Sequence, residues 1–193
     1  MKNLMRIPLT AALVSFSLLT FAQNKNAVTY EPAPKIPIDS ITGLFSYTEV
    51  VKVPNTTKDD LYKRCIEWTN SFYTNAQDVT KVRDQASGII SGAAKFKIYD
   101  INQKDPSLKT DAGVIQYDLK FEFKDNRYRY TFTKYNLKAQ SYSPIEKWLD
   151  KKAQSYQPRY ESFLTQVDAY TKDLIAKMKK TMAKAPAVKN DNW

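Results

Sequence analysis

Residues 114–135 read VIQYDLKFEFKDNRYRYTFTKY, and their alternation decides the fold. Ile115, Tyr117, Leu119, Phe121 and Phe123 share one face, while Gln116, Asp118, Lys120 and Glu122 share the other. Successive side chains of a strand point to opposite faces, so 114–124 is a strand with one apolar side. Asp125-Asn126 is a short turn signal. The return strand, 127–135, sets Tyr128, Tyr130 and Phe132 against Arg129, Thr131 and Thr133. Upstream, 88–99 alternates in the same way: Ile90, Gly92, Ala94, Phe96 and Ile98 against Ser91, Ala93, Lys95, Lys97 and Tyr99. Three strands of this kind predict an antiparallel sheet, covered on one face and open to water on the other.

Working outward, Phe45 to Val53 is rich in β-branched and aromatic residues and reads as a first strand, stopped by Pro54-Asn55. Thr56 or Thr57 caps a helix with Asp59 and Asp60 in its first turn, where carboxylates meet the positive helix end. Leu61, Cys65, Trp68 and Phe72 then form one apolar stripe. Asn75 to Ser87 is a polar connection, Asp100 to Asp111 is a loop, and Pro144 to Leu149 is a short helix capped by Ser143. A last long helix runs from about Pro158 to Lys184, with Tyr160, Phe163, Leu164, Val167, Leu174, Ile175, Met178 and Met182 on its apolar side. The order β-α-β-β-β-α gives two amphipathic helices one apolar sheet face to cover, so the fold class is α+β with both helices on that face. The domain is expected over 41–184, with 185–193 as a disordered tail.

The first 22 residues have the pattern of a Sec signal peptide. Lys2 and Arg6 precede an uncharged apolar run from Ile7 to Phe21, and Thr20-Phe21-Ala22 places small residues for cleavage between Ala22 and Gln23. The run is shorter than the ~20 residues a spanning helix needs. No Cys lies near the cleavage point, so a lipid-anchored form is not expected. The chain is therefore expected to be periplasmic or secreted, without a transmembrane segment once cleaved. Gln23 to Ser40, with Pro32, Pro34 and Pro37, reads as an extended linker.

The chain carries a formal charge of +10, and removal of Lys2 and Arg6 lowers it by two. This balance favours anionic partners: an acidic glycan, a lipid headgroup or an anionic peptide, with another envelope protein as the alternative. Export makes nucleic acid the least expected of the anions. The sequence contains no His and one Cys. Catalytic triads with His, His-based metal sites and thiolate zinc clusters are thereby excluded. Four Gly form no phosphate-cradling loop. No cofactor and no enzymatic activity are expected. Cys65, inside an apolar helical stripe, reads as a small buried hydrophobe. Asp118 and Glu122 are the remaining candidates for a carboxylate hydrolase, and Asp105 and Asp111 give a weak signal for a hard cation. The candidate ligand surface is the open sheet face, which should display Lys95, Lys97, Tyr99, Lys120, Arg129 and Tyr135.

Several blocks in order resemble a known family. They are IDSITGLFSYTEVV at 38–51, DLYKR at 60–64, WTNSFY at 68–73, KTDAG at 109–113, FKDNRYRY at 123–130 and PIEKW at 144–148. The sequence is similar over about 38–150 to the bacterial domain of unknown function with TBP-like fold. The resemblance implies that fold and a bacterial envelope setting. It implies no catalytic or binding residue, and the TBP part of the name describes shape, which does not carry function.

Overall fold

The computed structural model describes residues 29–139 and 142–184. The leader reading of residues 1–22 with its cleavage point at Ala22 and Gln23, and the tail 185–193, fall outside the described residues. The elements are β1 (Ser46–Lys52), α1 (Lys58–Phe72), α2 (Ala76–Val79), β2 (Val82–Asp84), β3 (Ile89–Ile101), β4 (Lys109–Lys124), β5 (Arg127–Lys138), β6 (Tyr142–Pro144), a 3-10 helix over Ile145–Leu149, and α3 (Tyr160–Met182). All strands pair antiparallel in the order β1-β5-β4-β3-β2, and β6 pairs with the end of β5 beyond β1.

The α+β architecture matches the alternation. Ile90, Ala94, Ile98, Ile115, Tyr117, Leu119, Phe121, Phe123, Tyr128, Tyr130 and Phe132 form the buried face of the sheet. α1 and α3 cover it with Leu61, Cys65 and Trp68 from one helix and Phe163, Leu164, Val167, Leu174, Met178 and Met182 from the other. Trp68 lies 5.6 Å from Phe121, edge to face, and stacks on Phe72. Thr57 is the N-cap of α1, its hydroxyl accepting the Asp60 N–H at 3.1 Å. Arg64 closes the far end of the helical layer by donating to the Met182 carbonyl at 2.8 Å, a cation at the negative end of α3.

The structure departs from the sequence reading in several places, among them β6 and the reach of β3 to Ile101 and of β4 from Lys109 into the expected loop 100–111. The polar connection 75–87 contains α2 and β2, which extend the sheet. The short helix near 144–149 is 3-10, and its cap position is Pro144, with no side-chain cap from Ser143. The part of the presumed linker from residue 29 onward is extended but docked. Ile36 is buried, Ile38 bridges Phe45, and the Ala33 N–H donates to Glu161 Oε2 at 2.7 Å. The segment borders a depression lined also by Trp148, Leu149 and Leu164, and Ile36 packs into the core beside it. Prolines favour the extended backbone, and the apolar contact of Ile36 holds it.

Two tests follow from this packing. Gly92 is where the chain leaving α2 crosses the sheet: a Cβ there would stand 1.8 Å from the Val79 carbonyl oxygen. Gly92→Ala should therefore destabilise by more than the ~1–3 kcal/mol of ordinary overpacking, read by chemical denaturation. Glu161 also receives the Tyr156 hydroxyl and Lys151. Partial burial pushes its carboxyl up, but the Ala33 N–H, Lys151 and Tyr156 outweigh it and hold it below its ordinary 4.5. Such a carboxylate stabilises the docked segment above pH 4.5 and loses that contribution as pH falls through the lower folded value. Trp148 fluorescence should report release of the segment in that acid window, and Glu161→Gln should flatten the step.

Candidate functional site

The open face is a grid fixed by strand register. One row runs Lys52–Arg127–Lys124, the next Val50–Arg129–Glu122–Ile89, then Thr48–Thr131–Lys120–Ser91 and Ser46–Thr133–Asp118–Ala93. Lys95 and Lys97 continue it along β3, opposite Gln116 and Val114.

Lys95, Lys97, Tyr99, Lys120 and Arg129 lie on this face as their alternation predicts, but most are already engaged. Lys97 Nζ is 2.7 Å from Asp111 Oδ2. Lys120 and Arg129 both reach Glu122, at 3.2 and 2.6 Å. Tyr99 is half-buried, with Lys109 Nζ 4.7 Å from its ring centre. Lys134, not foreseen, pairs with Asp118 at 3.0 Å. These contacts set the local electrostatics. Asp111 is held below the ordinary carboxylate range by Lys97, and Asp111 in turn raises Lys97. Partial burial pushes Glu122 up, yet Arg129 and Lys120 hold it below its ordinary value.

Tyr135 is not on the open face. It is fully buried, stacks on Tyr117 at 5.4 Å, and hydrogen-bonds with Thr171 at 3.0 Å. The cause is a bulge. Gln116 pairs with Asn136 while Asp118 pairs with Thr133, so Tyr117 opposes two residues of β5. Lys134 takes the extra position with φ 55°. One inserted residue moves everything after it to the other face.

The row Lys52–Arg127–Lys124 was missed by alternation alone. Among the described residues, none of these three exposed cations has a carboxylate within ion-pair distance, whereas the rows above contain Glu122 and Asp118. Val50, Glu122, Lys124, Arg127, Tyr128 and Arg129 line a shallow depression of about 290 Å³, in which Glu122 is held by Arg129 and Lys120 while Lys124 and Arg127 have no carboxylate partner among the described residues. Like charges side by side across strands cost stability, and a bound anion would relieve them.

The other candidates fare differently. Asp118 and Glu122 are four residues apart on one strand, about 13 Å at ~3.3 Å per residue. A glycosidase pair needs roughly 5–9.5 Å. Both carboxylates are tied to cations on an open surface. Asp105 accepts from Ser107 and Asp111 from Lys97 and Gly113, and among the described residues no group of three or more His, Cys, Asp or Glu is placed to hold a metal. Cys65 is buried, and burial pushes its thiol well up.

Residues 47–138, from β1 through β5, match the family model described as "Domain of unknown function (DUF4468) with TBP-like fold". Over that segment, a little under half of the chain, the protein resembles the DUF4468 family. Two crystal structures share the fold. One is a TBP-like protein from Parabacteroides distasonis, with 18% identity over 78% of this chain and 99% of that one, and a TM-score of 0.59. The other is a DUF4468 family protein from Bacteroides ovatus, with 10% identity over 78% and 92%, and a TM-score of 0.59. No curated protein matches the chain. The family segment omits the N-terminal segment, the 3-10 helix and α3, which complete the core here. No described helix is long and apolar enough to cross a membrane.

The bulge makes a direct test of which face each residue serves. Tyr135→Ala should cost about 3 kcal/mol or more, as for other buried aromatic truncations, in thermal or urea unfolding. Lys95→Ala should stay within about 0.5 kcal/mol of the parent.

Proposed function

We propose that this chain is an exported, non-enzymatic binding module of the bacterial envelope, which holds an anionic envelope component on the open face of its sheet. The uncompensated row Lys52–Arg127–Lys124 carries this reading. It places three cations in line across adjacent strands, about 10 Å from end to end at ~4.8 Å per strand. Arg127 offers a bidentate fork to carboxylate or phosphate, and the two lysines add charge without fixed geometry. Acidic glycan, lipid headgroup and anionic peptide share that chemistry. Export rests on the leader described above. The non-enzymatic reading is supported by the absence of His from the sequence and by the ion pairing of Asp118 and Glu122.

Changing Lys52, Lys124 and Arg127 together to Ser should reduce retention on purified anionic envelope material by at least about tenfold, with retention in the parent falling as salt rises. Lys97→Ser should have a smaller effect, because Lys97 is held by Asp111. A folded triple variant that is retained like the parent refutes the proposal.

A further inference from the structure

The two edges of the sheet are finished differently. At one, β2 pairs with Ile89–Ser91, the backbone of Val79–Lys81 lies against Gly92, and Gln166 grips the Tyr99 backbone at both its N–H and its carbonyl, at 2.9 and 2.8 Å. At the other, β1 beyond Ser46 is bare among the described residues. Its hydrogen-bond phase is fixed at both ends. Ser46 donates its N–H to the Pro37 carbonyl at 3.0 Å, away from β5, and Val53 donates to Asn126 at 2.8 Å, continuing the β5 side. Residues of an antiparallel strand alternate between partner and open side. Tyr47, Glu49 and Val51 therefore bond β5, and Thr48, Val50 and Lys52 turn their N–H and C=O groups outward. Among the described residues no hydrogen bond leads outward from those three backbones. The N-terminal segment begins to pair with β1, but Pro37 has no N–H to offer the Ser46 carbonyl, and the pairing stops there. No bulge interrupts β1 from Ser46 to Lys52, and Val50 at its centre is 55% exposed. Such an edge is a template for another strand.

We propose that β1 pairs antiparallel with β1 of a second copy, about a twofold axis at Val50, so that two sheets join into one. With Val50 facing Val50 of the second copy, Thr48 faces Lys52 on the open side, and Glu49 faces Val51 on the helix side. No like charges oppose. A register centred on Val51 also opposes no like charges, but it makes only two outward hydrogen-bonded pairs, because Pro54 has no N–H for the Thr48 carbonyl, whereas the Val50 register makes three. Centring the axis on Glu49 sets two carboxylates opposite each other. Centring it on Thr48 requires the Ser46 N–H, which Pro37 holds. The contact is isologous, so it closes at a dimer instead of growing into a fibre. The dimer contact uses the outward backbone groups of β1, and the anion-binding reading uses side chains of the open face. Lys52 and Val50 border both, so the Val50 variants are read for dimerisation and the Lys52, Lys124 and Arg127 variant for retention, and either result can fail without the other.

Analytical ultracentrifugation of the purified protein over a concentration series should show a monomer–dimer equilibrium. Val50→Pro removes the outward N–H at the axis and leaves the bonds to β5 in place, as edge strands tolerate. It should weaken the dimer about tenfold or more while circular dichroism stays unchanged. Val50→Cys keeps the N–H and should form a disulfide-linked dimer on oxidation, because facing residues of a hydrogen-bonded pair lie ~5.5 Å apart at Cα, within disulfide reach. Val82→Cys, on the opposite edge, should not. Cys65 is buried and leaves the readout clean. A monomer at every concentration, or a dimer that cross-links no better through Val50 than through Val82, overturns the proposal. If Val50→Pro does not fold, the cross-linking pair decides.

Discussion

The aromatic layer between the sheet and its two long helices is the contact that the rest of this molecule depends on. Tyr117, Phe121, Phe132 and Tyr135 rise from the strands, and Trp68 with Phe72 comes down from α1. Burying rings of this size is the largest favourable contribution a domain of this length can make. Both long helices are committed to one face of the sheet, and among the described residues no other long helix covers the opposite face. The open face is thus a consequence of element count, and its polar side chains are what water requires there.

Much of this was legible from residues alone. Period-two alternation in 88–99, 114–124 and 127–135 placed the strands, failing only at Tyr135 past the bulge, and the stripes Leu61-Cys65-Trp68 and Phe163-Leu164-Val167 placed the helices, because each pattern is local. What alternation could not supply was anything that depends on partners. Lys52 joins Lys124 and Arg127 only through register across three strands. The ion pairs that engage Lys97, Lys120 and Arg129 arise in the same way. α2 and β2 are too short for a periodic signal and exist through their contacts with β3.

The N-terminal segment makes the same point in reverse. Its prolines correctly indicate extended backbone, but extension does not distinguish a free linker from a docked strap. Glu161 settles it by accepting the N–H of Ala33, and Glu146 anchors the start of β1 by accepting that of Phe45. Both acids sit far along the chain. Together with α3, they show that the folded unit reaches well beyond the segment the family shares. The open edge of β1 depends on this strap too, since Pro37 decides where its pairing ends.

Lys134 works as the reading frame of the sheet. A non-glycine residue in the left-handed region carries a backbone cost, and here it occupies the one extra position in β5. Upstream of it, odd-numbered residues of β5 face water; downstream, Tyr135 faces the core. A lineage that lost or gained a single residue at this point would exchange the inside and outside of the whole strand end, down to the contact with β6. Length at this position is therefore more tightly constrained than identity, and a sequence comparison that allows a gap there aligns residues that live in different environments.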